Sequence, residues 1–105
     1  MQSIKTKWIE YRETFIIEYS YNKIHLLETI KNGILRCNQN QLKEVMILIY
    51  YDDEIQKEKL NLNEFSLDLR SLHCETIFQI WVYLKETDLN EEITAKEIRQ
   101  NVMLN

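Results

Sequence analysis

The most apolar and aromatic stretch of the sequence is Ile77-Phe78-Gln79-Ile80-Trp81-Val82-Tyr83-Leu84, and it ends a longer amphipathic pattern that begins near Leu60. Asn61 has the position to cap the first free amides of a helix, and Glu64 follows three residues later, as in a capping box. From this start, the apolar residues recur at helical spacing up to residue 84. The pattern predicts one helix over residues 60–84.

This predicted helix has two distinct faces. Its apolar face carries Leu62, Phe65, Leu69, Leu72, Ile77, Ile80 and Leu84. Its opposite face carries Glu64, Asp68, Ser71, Glu75, Gln79 and Glu86. Such a division is typical of a helix that lies on a core with one side and meets water with the other. We therefore expect an acidic outer face.

Composition favours helices throughout the chain, which has 105 residues, no proline and one glycine. The Asn-Gly and Pro-Gly turns that tight hairpins use are absent. We predict one all-α domain over residues 1–105, built as a small bundle of four to five helices. The alternative is an α+β fold with strands at 45–51 and 77–84, because both runs are apolar enough to pair as buried strands.

An aromatic stripe marks the first predicted helix, which begins near Ser3. Its members lie three or four residues apart: Ile4, Trp8, Tyr11, Phe15 and Tyr19. Ile9 and Ile16 form a neighbouring strip, so this helix has more apolar width than a single contact needs. Helix propensity is poor around residues 19–22, where we expect a kink or a short break.

Two later helices are marked by their capping residues. Asn38 and Gln41 resemble a capping pair, within a polar tract at 38–40 that we expect to be a loop. The following run at 45–51 is apolar on all sides, so it needs either full burial or a partner on its second side. Thr94 and Glu97 form another capping box and predict a short helix from about Ala95 to Met103.

No residue pattern indicates catalysis, a metal site or a cofactor. His25 and His73 lack a second ligand at the spacing that zinc or di-iron sites require on a helix. Asp52-Asp53-Glu54 lacks the alternating ligands and the turn glycine of a calcium loop, and we expect it to be a solvated helix end. Cys37 and Cys74 are expected to be buried, reduced thiols. We predict that the protein is not an enzyme and binds no cofactor.

Charge and hydropathy limit the partners. The net charge is −4 at pH 7, which does not favour binding to a phosphate backbone. No apolar run approaches the roughly 18 residues that a membrane span needs, and the N-terminus has no signal-peptide core. We therefore expect a cytoplasmic protein with neither a membrane nor a nucleic acid as its partner.

One local pattern is familiar. Trp81-Val82-Tyr83-Leu84, a polar link and then Ile93-Thr94-Ala95-Lys96-Glu97-Ile98 resembles the first part of helix-turn-helix transcription regulators. In those proteins, a capped helix of this kind supports the recognition helix that follows it. The sequence ends at Asn105, so we expect this motif to be incomplete at the C-terminus. The resemblance implies a DNA-binding regulator, which is the second hypothesis for function.

The first hypothesis rests on surplus aromatic surface, because six Tyr, three Phe and two Trp exceed what a small core easily covers. It is a small non-enzymatic regulator or inhibitor that binds another protein, of the kind that phages and mobile elements encode. A two-fold homodimer is also expected, paired through the surplus apolar surface of the first helix with Trp8 as a central anchor. The predicted partner-binding residues are Trp8, Tyr11, Phe15, Ile47, Tyr50 and Tyr51.

Overall fold

A computed structural model describes residues 4–52, 68–89 and 92–103 of the chain. These ranges contain five α-helices, namely α1 (Ile4–Tyr21), α2 (Lys23–Leu35), α3 (Gln39–Tyr50), α4 (Cys74–Asp88) and α5 (Ala95–Met103). They contain no strand, so the all-α prediction is confirmed. The alternative strands at 45–51 and 77–84 are wrong, because the first run lies in α3 and its C-cap and the second lies in α4.

The fourth helix is the centre of the fold, since α1, α2, α3 and α5 all pack against it. Its buried residues are Thr76, Ile77, Phe78, Ile80, Trp81, Val82, Tyr83 and Glu86. They lie on all sides of the helix, so the prediction of one apolar face and one solvated acidic face is wrong. Because four helices surround α4, the polar residues of this helix also contact other parts of the chain.

The start of α4 differs from the prediction of one helix over residues 60–84. A short 3-10 turn at Leu69–Ser71 comes first, and Leu72 and His73 are extended before the helix begins. The side chain of Asp68 accepts from the Arg70 N–H at 3.0 Å, a local bond that competes with regular helix formation. His73 is the N-cap, and its Nδ1 accepts from the Glu75 N–H at 3.3 Å. The predicted start at Asn61 lies outside the described residues.

The buried carboxylate of Asp52 joins the end of α3 to the start of α4. Asp52 is 1% exposed, and its Oδ2 accepts from the His73 N–H at 2.8 Å. The expectation of a solvated helix end is therefore wrong at this residue, because the carboxylate accepts a hydrogen bond from a backbone amide at the start of another helix. The next two acidic residues, Asp53 and Glu54, lie outside the described residues.

Replacing Asp52 with Ala should lower the free energy of unfolding by about 1–3 kcal/mol, because the His73 N–H loses its acceptor. Asp52→Asn should cost less, since its amide oxygen can still accept this bond. Urea unfolding followed by circular dichroism measures both variants. Asp88→Ala, at the exposed end of α4, is the matched control and should differ little from the parent. An Asp52→Ala protein as stable as the parent would contradict a structural role for this carboxylate.

The break between α1 and α2 is confirmed at Asn22, whose backbone leaves the helical region at φ −141° and ψ 40°. The hydrogen bonding continues across the break. The Asn22 N–H donates to the Glu18 carbonyl at 2.8 Å, and the Leu26 N–H donates to the Asn22 carbonyl at 2.9 Å. One non-helical residue therefore redirects the chain and allows α2 to pack against both α1 and α4.

Gly33 is a buried residue of α2 that faces Leu84 of α4. A Cβ atom at this position would lie 2.8 Å from Leu84 Cδ1, closer than carbon atoms normally approach. The contact is with the end of a flexible side chain, so alanine would require only a shift of Leu84 and would raise the helix propensity by about 1 kcal/mol.

Of the three predicted caps, the two that lie within the described residues form. Asn38 Oδ1 accepts from the Gln41 N–H at 2.8 Å, and Gln41 Oε1 accepts from the Asn38 N–H at 2.9 Å. This reciprocal pair starts α3 at Gln39, so residues 39 and 40 are helical and not a loop as predicted. Thr94 Oγ1 accepts from the Glu97 N–H at 3.2 Å, and α5 spans Ala95–Met103 as predicted.

Candidate protein-binding surface

Two of the six predicted partner-binding residues lie in the core. Trp8 is 5% exposed and Phe15 is 3% exposed. The ring centroid of Phe15 lies 5.1 Å from that of Phe78 and 5.7 Å from that of Trp81. The aromatic stripe of α1 therefore packs on the chain's own central helix, and we do not retain Trp8 or Phe15 as partner-binding residues.

Tyr11, a third predicted residue, is half-buried at the junction of α1 and α4. Its hydroxyl is hydrogen-bonded to Glu86, and burial followed by the charge of Glu86 raises the pKa of Tyr11 to about 12. Glu86 is itself buried, and its Oε1 lies 2.9 Å from Lys7 Nζ. Tyr11 thus belongs to a buried polar cluster with Glu86 and Lys7, which the sequence patterns did not reveal. The available signal was that Glu86 follows the apolar Val82 by four residues on α4.

The other three predicted residues lie on the surface at the C-terminal end of α3. Ile47 is 41% exposed, Tyr50 is 54% exposed and Tyr51 is 51% exposed. Ile47 and Tyr50 share a face of α3 with Lys43, since these residues are three or four positions apart. The opposite face of α3 supplies Val45, Leu48 and Ile49 to the core. The second side of this apolar run is therefore left exposed.

The two tyrosines meet edge to face, and a cation from α5 stacks on one of them. The ring centroids of Tyr50 and Tyr51 are 5.6 Å apart at an interplanar angle of 87°. The guanidinium carbon of Arg99 lies 3.6 Å from the ring centroid of Tyr51. We call Lys43, Ile47, Tyr50, Tyr51 and Arg99 the α3–α5 surface. Sequence reasoning missed Arg99, because only the packing of α5 on α3 brings it to Tyr51.

The position of Arg99 is set by how α5 is held. Glu44 Oε2 accepts from the Ala95 N–H at 2.7 Å, which places a carboxylate at the N-terminus of α5. A negative charge there is favourable because the first helix amides carry partial positive charge. Ala95 and Ile98 are buried in the core. With Ile98 directed inward, the next residue, Arg99, lies beside α3 and covers Tyr51.

Two basic side chains border the aromatic residues of the α3–α5 surface. Lys43 is exposed and Arg99 is half-buried. The ion pairs between described residues are Lys7–Glu86, Arg12–Glu75 and Arg70–Asp68, and none of them includes Lys43 or Arg99. Glu44, the acidic neighbour of Lys43, is engaged with α5. Two cations thus flank an aromatic centre on a chain whose net charge is −4.

A groove between α2 and α4 has a volume of about 180 Å³. Its floor includes Gly33, Trp81 and Leu84, and Cys37 lies on its wall. Small-molecule sites usually occupy roughly 300–1,000 Å³, so this groove is small for a ligand. Burial raises the pKa of the Cys37 thiol, which keeps the thiol neutral and a poor nucleophile.

The histidines and cysteines do not come together. His25 is exposed on α2, whereas His73 caps α4. Cys37 and Cys74 are free thiols, and both are half-buried rather than fully buried as expected. In residues 4–52, 68–89 and 92–103, no group of three or more His, Cys, Asp or Glu side chains could hold a metal ion.

The predicted helix pair at the C-terminus is present as α4 and the capped α5, and its likeness to a helix-turn-helix stays a prediction. None of the helices in the described part of the chain is both long and apolar enough to cross a membrane. Comparison with known proteins adds no assignment of function. No protein family, curated protein or solved structure matches this chain.

Proposed function

We propose that this chain is a small non-enzymatic regulator or inhibitor that acts by binding another protein at the α3–α5 surface. The observation that carries the proposal is the pair of half-exposed tyrosines, Tyr50 and Tyr51, with Arg99 stacked on the second. Tyr and Arg are enriched among the few residues that dominate binding energy at interfaces. Tyrosine provides a large, rigid and amphipathic contact area at a low entropic cost.

Hydrogen bonds hold the backbone that carries this surface, which favours binding. Tyr50 is the last residue of α3, and the N–H of Tyr51 donates to the Ile47 carbonyl at 3.3 Å. Arg99 projects from α5, whose N-terminus is held by Glu44. Side chains that are already ordered lose less entropy on association, so more of their contact energy contributes to affinity.

Three described residues that could carry chemistry instead stabilise the fold, which supports binding rather than catalysis. His73 caps α4, and Asp52 accepts from the backbone of His73. Glu86 pairs with Lys7 beneath Tyr11. In each case, the polar group stabilises a helix end or a helix junction.

The predicted homodimer needs a different surface from the one first expected. A symmetric pairing of α1 through the Trp8 stripe would require Trp8 and Phe15 to leave the core. Any association of two copies must therefore use exposed residues. The proposed partner therefore binds at the α3–α5 surface. The aromatic stripe that contains Trp8 packs in the core and stabilises the fold.

A photo-crosslinking amino acid at Ile47 should capture one defined protein in the cells that encode this chain, whereas the same group at His25 on α2 should not. The purified partner should then bind Tyr50→Ala/Tyr51→Ala about 30-fold more weakly than the parent, which corresponds to about 2 kcal/mol. Isothermal titration calorimetry measures this difference.

The control for this experiment is Leu35→Ala, which removes an exposed apolar side chain from α2. Its affinity should equal that of the parent. Because the two tyrosines are exposed, their double variant should keep most of the parent's free energy of unfolding. Equal affinity of the parent and the tyrosine variant for the captured protein would reject the α3–α5 surface as its binding site.

A further inference from the structure

A cavity of about 470 Å³ lies between α3, the C-terminal part of α4 and the residues that precede α5. Its volume is within the range of roughly 300–1,000 Å³ that is usual for small-molecule sites. Residues from all three parts line it, among them Asn40, Gln41, Glu44, Tyr83, Thr87 and Glu92. Residues three or four positions apart share a helix face, so α3 and α4 each direct one polar face toward this space.

The hydroxyl of Tyr83 reaches this cavity. Tyr83 is 3% exposed, and no hydrogen bond joins its hydroxyl to another residue in the described part of the chain. Within that part, every completely buried polar side-chain atom has a hydrogen-bond partner. The hydroxyl oxygen is therefore not completely buried, and the space that it meets is the cavity that Tyr83 lines. A ligand in the cavity would supply the missing partner of this hydroxyl.

Two carboxylates give the cavity a negative charge. Burial and then the charge of Glu44 raise the pKa of Tyr83 to about 12, so this carboxylate acts on the cavity side of α4. The second carboxylate belongs to Glu92, and the lining contains no basic residue. Lys43 and Lys96 are close to these glutamates in the sequence, but no ion pair between described residues includes Glu44 or Glu92.

The hydrogen bonds within the chain leave acceptors facing a ligand. The Thr87 hydroxyl donates to a backbone carbonyl of α4 at 2.9 Å, so its oxygen is left to accept. Glu44 uses one carboxylate oxygen at the start of α5 and keeps the other. Asn38 and Gln41 use their side-chain oxygens in the α3 cap and keep N–H donors, but these amides are uncharged and do not offset the carboxylates. The lining favours a positively charged ligand that donates hydrogen bonds.

Metal ions and anions fit this lining less well. No group of three or more His, Cys, Asp or Glu side chains lies together in residues 4–52, 68–89 and 92–103, as a metal site would need. The carboxylates repel an anion, and two amides at the nearby helix starts are already bonded, the Gln41 N–H to Asn38 and the Ala95 N–H to Glu44.

We propose that this cavity binds a small organic cation whose charged group is a guanidinium or an ammonium, with Tyr83, Glu44 and Glu92 as its acceptors. A guanidinium presents several N–H donors in one plane, so it can contact a hydroxyl and a carboxylate together. The inference is independent of the proposed function, because the cavity and the α3–α5 surface have no residue in common.

Butylguanidinium and butylurea test the site, because the two molecules have similar shapes and only the first is charged. Butylguanidinium should bind the full chain with a Kd of about 1 mM or below, as a compact ligand of its size can. Butylurea should bind about tenfold or more weakly, since its hydrogen bonds to the carboxylates are not charge-assisted. Titration of isotope-labelled protein, followed by the backbone amide resonances of Asn40, Glu44 and Thr87, measures both affinities and locates the site.

Two variants separate the loss of binding from the loss of folding. Tyr83→Phe removes only the hydroxyl and should weaken butylguanidinium binding about fivefold or more. Its free energy of unfolding in urea should stay close to that of the parent, because this hydroxyl has no bond within the described residues to lose. Glu92→Gln keeps the shape of an exposed side chain and should also weaken binding about fivefold. Glu28→Gln, on the exposed face of α2, is the control for net charge and should bind as the parent does.

The same cation can belong to a free small molecule or to an arginine side chain. The blocked peptide acetyl-Gly-Arg-Gly-amide separates these sources: affinity equal to that of butylguanidinium assigns the cavity to an arginine side chain, and much weaker binding assigns it to a free cation. Unchanged resonances of Asn40, Glu44 and Thr87 at about ten times the expected Kd would overturn the proposal. So would butylurea binding as tightly as butylguanidinium, or equal affinity of the parent and both cavity variants.

Discussion

Phe78→Ala should lower the free energy of unfolding by about 3–5 kcal/mol, the largest single effect that we expect in this protein. Phe78 is buried in the N-terminal half of α4, and its ring centroid lies 5.1 Å from that of Phe15. The guanidinium carbon of Arg12 lies 4.0 Å from the same centroid. Truncation removes these contacts and leaves a cavity at the junction of α1 and α4, which the surrounding helices can only partly close.

Urea unfolding followed by circular dichroism measures the loss. The matched control is Ile24→Ala, which removes apolar atoms from an exposed position on α2 and should change stability by less than about 0.5 kcal/mol. Since small domains are stable by only about 5–15 kcal/mol, the Phe78 variant should unfold at a much lower urea concentration. If both variants unfold at the same urea concentration as the parent, α4 is not the centre of the core.

Glu86→Ala should lower the free energy of unfolding by about 2 kcal/mol. The variant loses the ion pair with Lys7 and the hydrogen bond with Tyr11. Lys7 Nζ lies 2.9 Å from Glu86 Oε1 and 3.0 Å from Oε2. The side chain of Lys7 is 34% exposed, whereas that of Glu86 is 6% exposed. The truncated protein can therefore return the lysine to water, which makes the loss smaller than for a fully buried ion pair.

The same geometry predicts an asymmetry between the partners. Lys7→Ala should lower the free energy of unfolding more than Glu86→Ala does. The carboxylate of Glu86 is buried, so in the Lys7 variant it stays buried without its cation. Glu28→Ala, on the exposed face of α2, is the control for loss of a glutamate and should change stability little. Equal stability of the parent and both cluster variants would show that this cluster does not hold α1 to α4.

The pKa of Tyr11 reports on this cluster. In the parent it is raised to about 12 by burial and then by the charge and hydrogen bond of Glu86. Its stabilising contribution is therefore fully present below the ordinary tyrosine pKa of about 10 and is lost as the pH rises from there through about 12. In Glu86→Ala, the pKa of Tyr11 should fall toward the ordinary value while burial keeps it raised. Ultraviolet absorbance titration, with Tyr11→Phe as the reference, measures the change.

The ends of several helices follow from short stretches of sequence. The cap between Asn38 and Gln41, the cap between Thr94 and Glu97, and the break at Asn22 all involve residues at most four positions apart. Their hydrogen bonds form within one turn of the chain, so the order of residue types is enough to predict them. The composition, with no proline and one glycine, was likewise enough to favour an all-α fold.

The start of α4 shows where local patterns are insufficient. Apolar residues recur at helical spacing through residues 69–73, yet this segment forms a 3-10 turn and two extended residues. Two bonds favour that geometry: Asp68 accepts from Arg70, and Asp52 accepts from His73 across 21 positions. The second bond depends on the packing of α3 beside α4, so periodicity could not predict where the helix begins.

The candidate surface could likewise be predicted only in part. Residue order was enough to show which residues are apolar, where most helices begin and that apolar surface is in excess. The packing of the helices determines that Trp8 and Phe15 enter the core, that Ile47, Tyr50 and Tyr51 stay outside, and that Arg99 lies over Tyr51. The reason is physical: a helical period fixes which residues share a face, whereas burial depends on how many other helices pack against that face.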